Sequence, residues 1–209
     1  MFDLPSLTLF VVASWVLIIT PGPDSLYVLT RSIAQGKQAG IVSALGVTVG
    51  IFVHTLAAAF GLAVVLQTSA LAFLVVKYAG ALYLLYLGVR TLKDRSSLSL
   101  APDHKSRQLR KLFGQGVLSN VTNPKIALFF LAFLPQFVHP ENGHAALQML
   151  ILGAIFAFFG VTYLSALAYG AGQIGALFAR NPRLLKPLRW ATGTVFIGLG
   201  LRLAFAERR

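Results

Sequence analysis

The chain has 209 residues, of which 56% are apolar or aromatic and 11% are charged. A soluble domain carries about 25% charged residues, so this composition and a mean hydropathy of +0.75 exclude a disordered chain and argue against a soluble one. Cysteine is absent, which removes disulfides, thiol redox chemistry and cysteine metal sites, and the net charge of +12 is better explained by membrane topology than by nucleic-acid binding.

A helix that spans a bilayer needs about 20 predominantly apolar residues. The sequence predicts six such segments: 4–33, 39–66, 69–92, 112–138, 145–178 and 188–206. The expected fold is all-α, a polytopic membrane bundle of six transmembrane helices forming a single domain over 1–209. The first segment follows Met1, Phe2 and Asp3, without a positive n-region. It runs into Thr20-Pro21-Gly22-Pro23-Asp24 rather than a small-residue cleavage site, so it reads as a retained span and not a signal peptide. No lipidation motif is visible.

Proline removes a backbone donor and clashes with the preceding turn. Pro21 and Pro23, on either side of Gly22, should therefore unwind span one near its middle. Asp24, just after this break, is the only acid within any predicted span. Gly36, just before span two, and Gly40, Gly46 and Gly50 within it, with Ala57 and Gly61, give small-residue spacings that favour close helix packing. His54 lies mid-span and reads as a hydrogen-bonding helix contact ahead of a proton relay. Span three carries Lys77 about two turns in. Its Tyr78, Tyr83 and Tyr86 suit either a hydroxyl-lined cavity or an interfacial packing role. Trp15 and Trp190 are too few for an aromatic belt.

Residues 93–111 form the one long polar stretch, too short to fold as a separate domain. In span four, Asn123 precedes Pro124 and is pushed from helical dihedrals, so this span should break as well. Lys125 follows, about 20 Å from either end of the span at 1.5 Å per residue. An ionised group at that depth costs several kcal/mol unless paired, solvated or neutralised. Such breaks are tolerated only where protein or a water-filled cavity serves the freed backbone. The candidate site is therefore Asp24, Ser25, Asn123 and Lys125, with Lys77 as a second possible partner of Asp24, arranged around the helix-breaking Pro21, Gly22, Pro23 and Pro124. A purely structural ion pair that fixes helix register is the competing reading.

The basic residues set the orientation. Arg31 and Lys37 follow span one, seven more lie between Arg90 and Lys111, and Arg180, Arg183, Lys186 and Arg189 follow span five. The other side carries only Arg202, Arg208 and Arg209. The positive-inside rule places the richer side in the cytoplasm and both termini outside. Two short motifs recur. Leu87-Gly88-Val89-Arg90 matches Leu199-Gly200-Leu201-Arg202, 112 residues on, and Pro23-Asp24 matches Pro124-Lys125, 101 residues on. Two halves of three spans, 1–92 and 112–209, would lie in opposite orientations, the inverted repeat of secondary transporters. Chance similarity between apolar helices is the alternative.

The chain has no HExxH, GxSxG or P-loop motif. Four scattered histidines form no metal site, no cofactor is implied, and no nucleophile–base pair can be assembled. The expectation is a protein that is not an enzyme.

The set Pro21-Gly22-Pro23-Asp24, Lys77-Tyr78-Ala79-Gly80, Tyr83-Leu84, Tyr86-Leu87-Gly88, Gly116 through Asn120 to Asn123-Pro124-Lys125, and Phe133-Leu134-Pro135-Gln136-Phe137 resembles the LysE/RhtB family of amino-acid exporters, of the threonine-, homoserine- or leucine-exporting type. The resemblance covers nearly the whole chain. It implies a bacterial inner-membrane secondary carrier that expels small amino acids or derivatives by proton antiport, with functional weight on Asp24 and the Asn-Pro-Lys motif. Its partners would be the substrate, protons and the lipid bilayer, with a homo-oligomer left open. Two other readings stand beside it: a membrane scaffold or assembly factor docking a partner through loop 93–111, and a passive channel, which usually needs oligomeric rings of filter groups.

Overall fold

The computed structural model describes residues 2–62, 70–93, 108–139 and 144–171, with isolated positions between 173 and 205. Among the described residues every regular element is helical and no strand occurs. Of the predicted sixth span, 188–206, only isolated positions are described, and most of loop 93–111 lies outside the described residues.

Helix α1 covers Leu4–Ile19. Asp3 caps it by accepting the Ser6 N–H at 3.3 Å, and its hydrogen bonds to Ser6 hold the Asp3 carboxyl below its ordinary pKa. The helix stops where Pro21 and Pro23 approach: Thr20 leaves helical dihedrals and Gly22 is extended. Helix α2, Pro23–Gln35, restarts with proline in its first turn, where the missing N–H costs nothing and the fixed φ is already helical. The two axes differ by 50°.

Gly36, at φ 88°, adopts backbone that only glycine takes readily. It alone turns the chain into α3, Lys37–Ala57, which continues as a π-turn over Ala58–Leu62. Because one residue makes this turn, Arg31 lies within α2 and Lys37 begins α3, where the sequence placed both in a connection. Helix α4 is Ala70–Lys93 and α5 is Leu109–Val121, so Leu109–Lys111 form a first turn and not the end of a loop. Helix α6, Pro124–Leu128, runs on through a π-turn at Phe129–Phe133 and a 3₁₀ turn at Leu134–Phe137. It bends 47° from α5. Helix α7 is Ala145–Tyr169.

The helical run Lys37–Gly61 and α7 each have 25 residues, with hydropathies of 2.0 and 2.1. At 1.5 Å per residue each is about 37 Å long, more than the ~30 Å hydrocarbon core. Each bent pair, α1 with α2 and α5 with α6, passes the same test as one broken span. The chain is a multi-pass helical membrane protein, and its first and fourth predicted spans are both broken at proline.

Leu45, Val49, Phe52, Leu56 and Phe60 form an exposed apolar stripe on α3, fitted to lipid rather than water. Tyr78 and Tyr86 lie on the exposed face of α4 beside Leu71, Val75 and Leu82. Neither tyrosine is among the residues that line the cavity around Asp24 and Lys125. The side chain of Tyr83 lies outside the described residues. Helix α3 packs closely on α5 because the residues between them are small. A methyl at Gly116 would stand 2.6 Å from the Ser43 carbonyl oxygen, and Gly46 lies directly against the Phe113 backbone. Gly61 faces open space and takes no part in that packing, unlike the expectation for it.

A second close seam joins α4 to the C-terminal segment. A methyl at Gly88 would lie 2.8 Å from the Gly193 carbonyl and 2.6 Å from Ile197. At Gly200 it would lie 3.0 Å from the Ala81 carbonyl and 3.0 Å from Leu85. Beside these seams, Phe10, Phe129, Phe130, Phe133 and Phe156 are almost wholly buried. Ring centroids of 5.0 Å between Phe129 and both Phe133 and Phe156 fill the space under the π-turn.

Candidate functional site

The two helix breaks meet, and each holds the charge of the other. Asp24 is the second residue of α2, where an acid is favoured by the positive end of the helix dipole. It is 8% exposed. Its carboxylate accepts from Ser119 Oγ at 3.0 Å, Asn120 Nδ2 at 2.7 Å and Asn123 Nδ2 at 2.9 Å. All three donors come from the second break. Asn123 also caps α6, its Oδ1 accepting the Lys125 N–H at 3.1 Å. One side chain therefore starts the half-helix and orients the acid.

Lys125 is the second residue of α6, a position the helix dipole disfavours for a cation. Its ammonium reaches across to the first break and donates to the Thr20 carbonyl at 2.9 Å. That oxygen ends α1, where unpaired carbonyls leave a partial negative charge. Gly22 makes the approach possible: a methyl there would lie 3.3 Å from Lys125 Nζ. No ion pair within 4 Å joins Asp24 to Lys125 among the described residues. The sequence left the partner of Asp24 open between Lys125 and Lys77, with a closed ion pair as the competing reading. The structure instead gives the acid three uncharged donors and the lysine a backbone carbonyl.

Both charges line one cavity, with Gly22, Ser25, Asn120, Asn123 and Tyr163 on its polar side. Leu17, Ile18, Val47, Ile51, Phe156 and Leu164 supply the apolar side. Gly22 has no side chain with which to cap α2, so the first-turn amides near Ser25 add to the positive field there. About 30 Å³ of the cavity takes the centre of a water-sized sphere, room for one or two waters and too little for an amino acid. Among the described residues no group of His, Asp and Glu is placed to hold a metal. Lys77 lies on α4, which packs beside the half-helix that carries Lys125. Its side chain lies outside the described residues.

The family model described as LysE type translocator matches residues 15–207. The chain belongs to the LysE family of translocators. Among relatives of this LysE chain is an uncharacterized membrane protein of Pseudomonas aeruginosa, 35% identical over 194 residues, 90% of each chain. The uncharacterized membrane protein YrhP of Bacillus subtilis is 31% identical over 206 residues, 94% of this chain and 97% of the relative. A Salmonella typhimurium protein named as a homoserine/homoserine lactone efflux protein is 30% identical over 198 residues, 95% of each. No solved structure matches the chain significantly.

The sequence reading of this translocator missed Ser119, Asn120 and Tyr163 as site residues. Asn120 was visible as a buried-span asparagine three residues before Asn123, one helical turn away. Tyr163 carried no signal: it sits in the apolar run of α7, and only the fold brings it to Ser25.

Proposed function

We propose that this LysE protein is a secondary active exporter of small amino acids or close derivatives across the bacterial inner membrane, working by proton antiport. One observation carries the reading: an acid and a base, each held at a proline break by the other break, line one cavity. An amino acid offers the complementary pair. Its ammonium group is received at Asp24. Its carboxylate is received by Lys125, which leaves the Thr20 carbonyl, and by the first-turn amides of α2. A proton competes with the ammonium group for Asp24. Protonation from outside releases substrate, and loss of the proton inside restores the site. The Salmonella relative's name supports a homoserine-sized substrate.

The architecture that goes with this function is six spans in two inverted repeats, with both termini periplasmic and loop 93–111 cytoplasmic. The seam between α4 and the C-terminal segment supports the repeat. Gly88 faces Gly193 and Ile197, while Gly200 faces Ala81 and Leu85. Adding 112 to 88, 81 and 85 gives 200, 193 and 197, so the contact is reciprocal, as a two-fold axis requires.

The test is export from a sensitive host. The chain is overexpressed, and protection is scored against toxic levels of homoserine, threonine, leucine and other amino acids. Protection by the parent should fall about 30-fold in Asp24→Asn, the loss of about 2 kcal/mol for a hydrogen bond to a charged group. Efflux from Asp24→Asn at parental rate and with parental pH dependence removes Asp24 from coupling.

A further inference from the structure

An α-helix carries each backbone carbonyl to the N–H four residues on. At both breaks that residue is proline, which has no N–H. Pro124 leaves the Asn120 carbonyl without its helical donor, and Pro23 does the same to Ile19. Asn120 is 1% exposed, so bulk water does not serve its carbonyl.

Side chains from two unbroken helices, α3 and α7, reach these oxygens. His54, on α3, places Nε2 3.1 Å from the Asn120 carbonyl oxygen. A carbonyl only accepts, so Nε2 carries the proton. The Asn123 N–H donates to the same oxygen at 2.9 Å, and its two lone pairs are both used. At the other break the Tyr163 hydroxyl, on α7, donates to the Ile19 carbonyl at 3.5 Å. The arrangement repeats: the second span serves the break in the fourth, and the fifth serves the break in the first.

Asn120 is also the residue whose amide donates to Asp24 at 2.7 Å. Helix α3 holds it from a second direction. Gly50, one turn before His54, faces it so closely that a methyl there would lie 2.6 Å from Asn120 Cβ.

We propose that His54 is a positioning residue for the export site. By donating to the carbonyl that Pro124 deprives of its helical donor, it fixes Asn120, and through the Asn120 amide it aims the Asp24 carboxylate at the substrate ammonium group. Tyr163 has the corresponding place at Ile19, next to the Thr20 carbonyl that takes Lys125. This inference rests on the export reading.

The experiment is counterflow in proteoliposomes with L-homoserine as the probe, read as half-saturating concentration and maximal rate per transporter. His54→Phe keeps the ring beside Phe130, whose centroid is 6.0 Å from that of His54, and loses the donor. His54→Gln keeps a donor. The expected result for His54→Phe is a rise of about 10-fold in half-saturating concentration, with maximal rate within about 2-fold, because one hydrogen bond that orients a charged contact is lost. His54→Gln stays near the parent. Gly50→Ala, pressing on Asn120 from the other side, should raise half-saturation as His54→Phe does, and it stands in if that variant fails to accumulate. Unchanged half-saturation in either, or His54→Gln failing as badly as His54→Phe, overturns the proposal. The parent and Asp24→Asn are run alongside. A parent inactive on homoserine and on every amino acid of the host screen overturns the export reading and this inference together. An active parent with parental His54→Phe kinetics overturns this inference alone.

Discussion

At the residue scale the site turns on whether Lys125 is a ligand or a counter-ion. A counter-ion would sit on the acid. Lys125 Nζ instead donates to the Thr20 carbonyl, and the Asp24 carboxylate is filled by three neutral donors. Removing one partner of a closed buried pair costs 3–5 kcal/mol, and removing both relieves it. For Asp24 and Lys125 we expect no such relief: the double variant Asp24→Asn with Lys125→Met should accumulate in the membrane and export no better than either single variant. Near-parental export by the double variant, in the host assay, would make the lysine a counter-ion. The two charges and the helix-breaking residues were legible in the sequence because charge and proline are conspicuous in an apolar span. Of their partners, Asn120 left a signal one turn before Asn123, but Ser119 looks like any polar helix end until the fold brings it to Asp24.

Both helix breaks were legible as elements, because proline acts locally and no tertiary contact restores its missing N–H. The π-turns at Ala58–Leu62 and Phe129–Phe133 were not. Each is an apolar stretch whose hydropathy is the same in either kind of helix, and packing decides between them. Glycine spacing gave half an answer: Gly46 and Gly50 meet α5, while Gly61 meets nothing, because spacing marks a face and not what covers it. In the seam between α3 and α5, Gly116 meets Ser43, where a Cβ would stand 2.6 Å from a backbone oxygen. Backbone on both sides leaves little room to adjust. Gly116→Val should therefore cost about 1–3 kcal/mol, the usual range for overpacking, and lower the thermal unfolding midpoint in detergent. An unchanged midpoint would mean that α3 and α5 can separate without loss.

For the whole molecule, the absence of cysteine gives a clean background for single-cysteine labelling. With the termini outside, Phe2→Cys should react with an impermeant maleimide in intact cells and Ser97→Cys only after permeabilisation; the reverse pattern would invert the proposed orientation. Transport also needs the cavity to open on one side at a time, since its 30 Å³ takes one or two waters at most. Toward the α2 C-terminus, beyond the residues that line the cavity, the Tyr27 hydroxyl donates to the Leu112 carbonyl at 2.7 Å and Arg31 reaches Gln115 Oε1 at 3.4 Å. These bonds tie α2, which carries Asp24, to α5, which carries two of its donors. At the far end the buried Gln148 side chain bonds the His139 N–H at 2.9 Å and its carbonyl at 3.0 Å, with Asp3 3.7 Å from the His139 ring. In the proposed orientation the Tyr27 contact faces the cytoplasm, where an exporter loads. Tyr27→Phe removes one hydrogen bond, worth about 1 kcal/mol, and should shift the closed-to-open balance by roughly 5-fold. The measure is the labelling rate of a single cysteine at Val47, which lines the cavity, from the cytoplasmic face of inverted vesicles. Tyr27→Phe should raise that rate about 5-fold, in step with the population it frees. An unaltered rate would mean that the cytoplasmic side opens elsewhere, with α2 and α5 moving as one body.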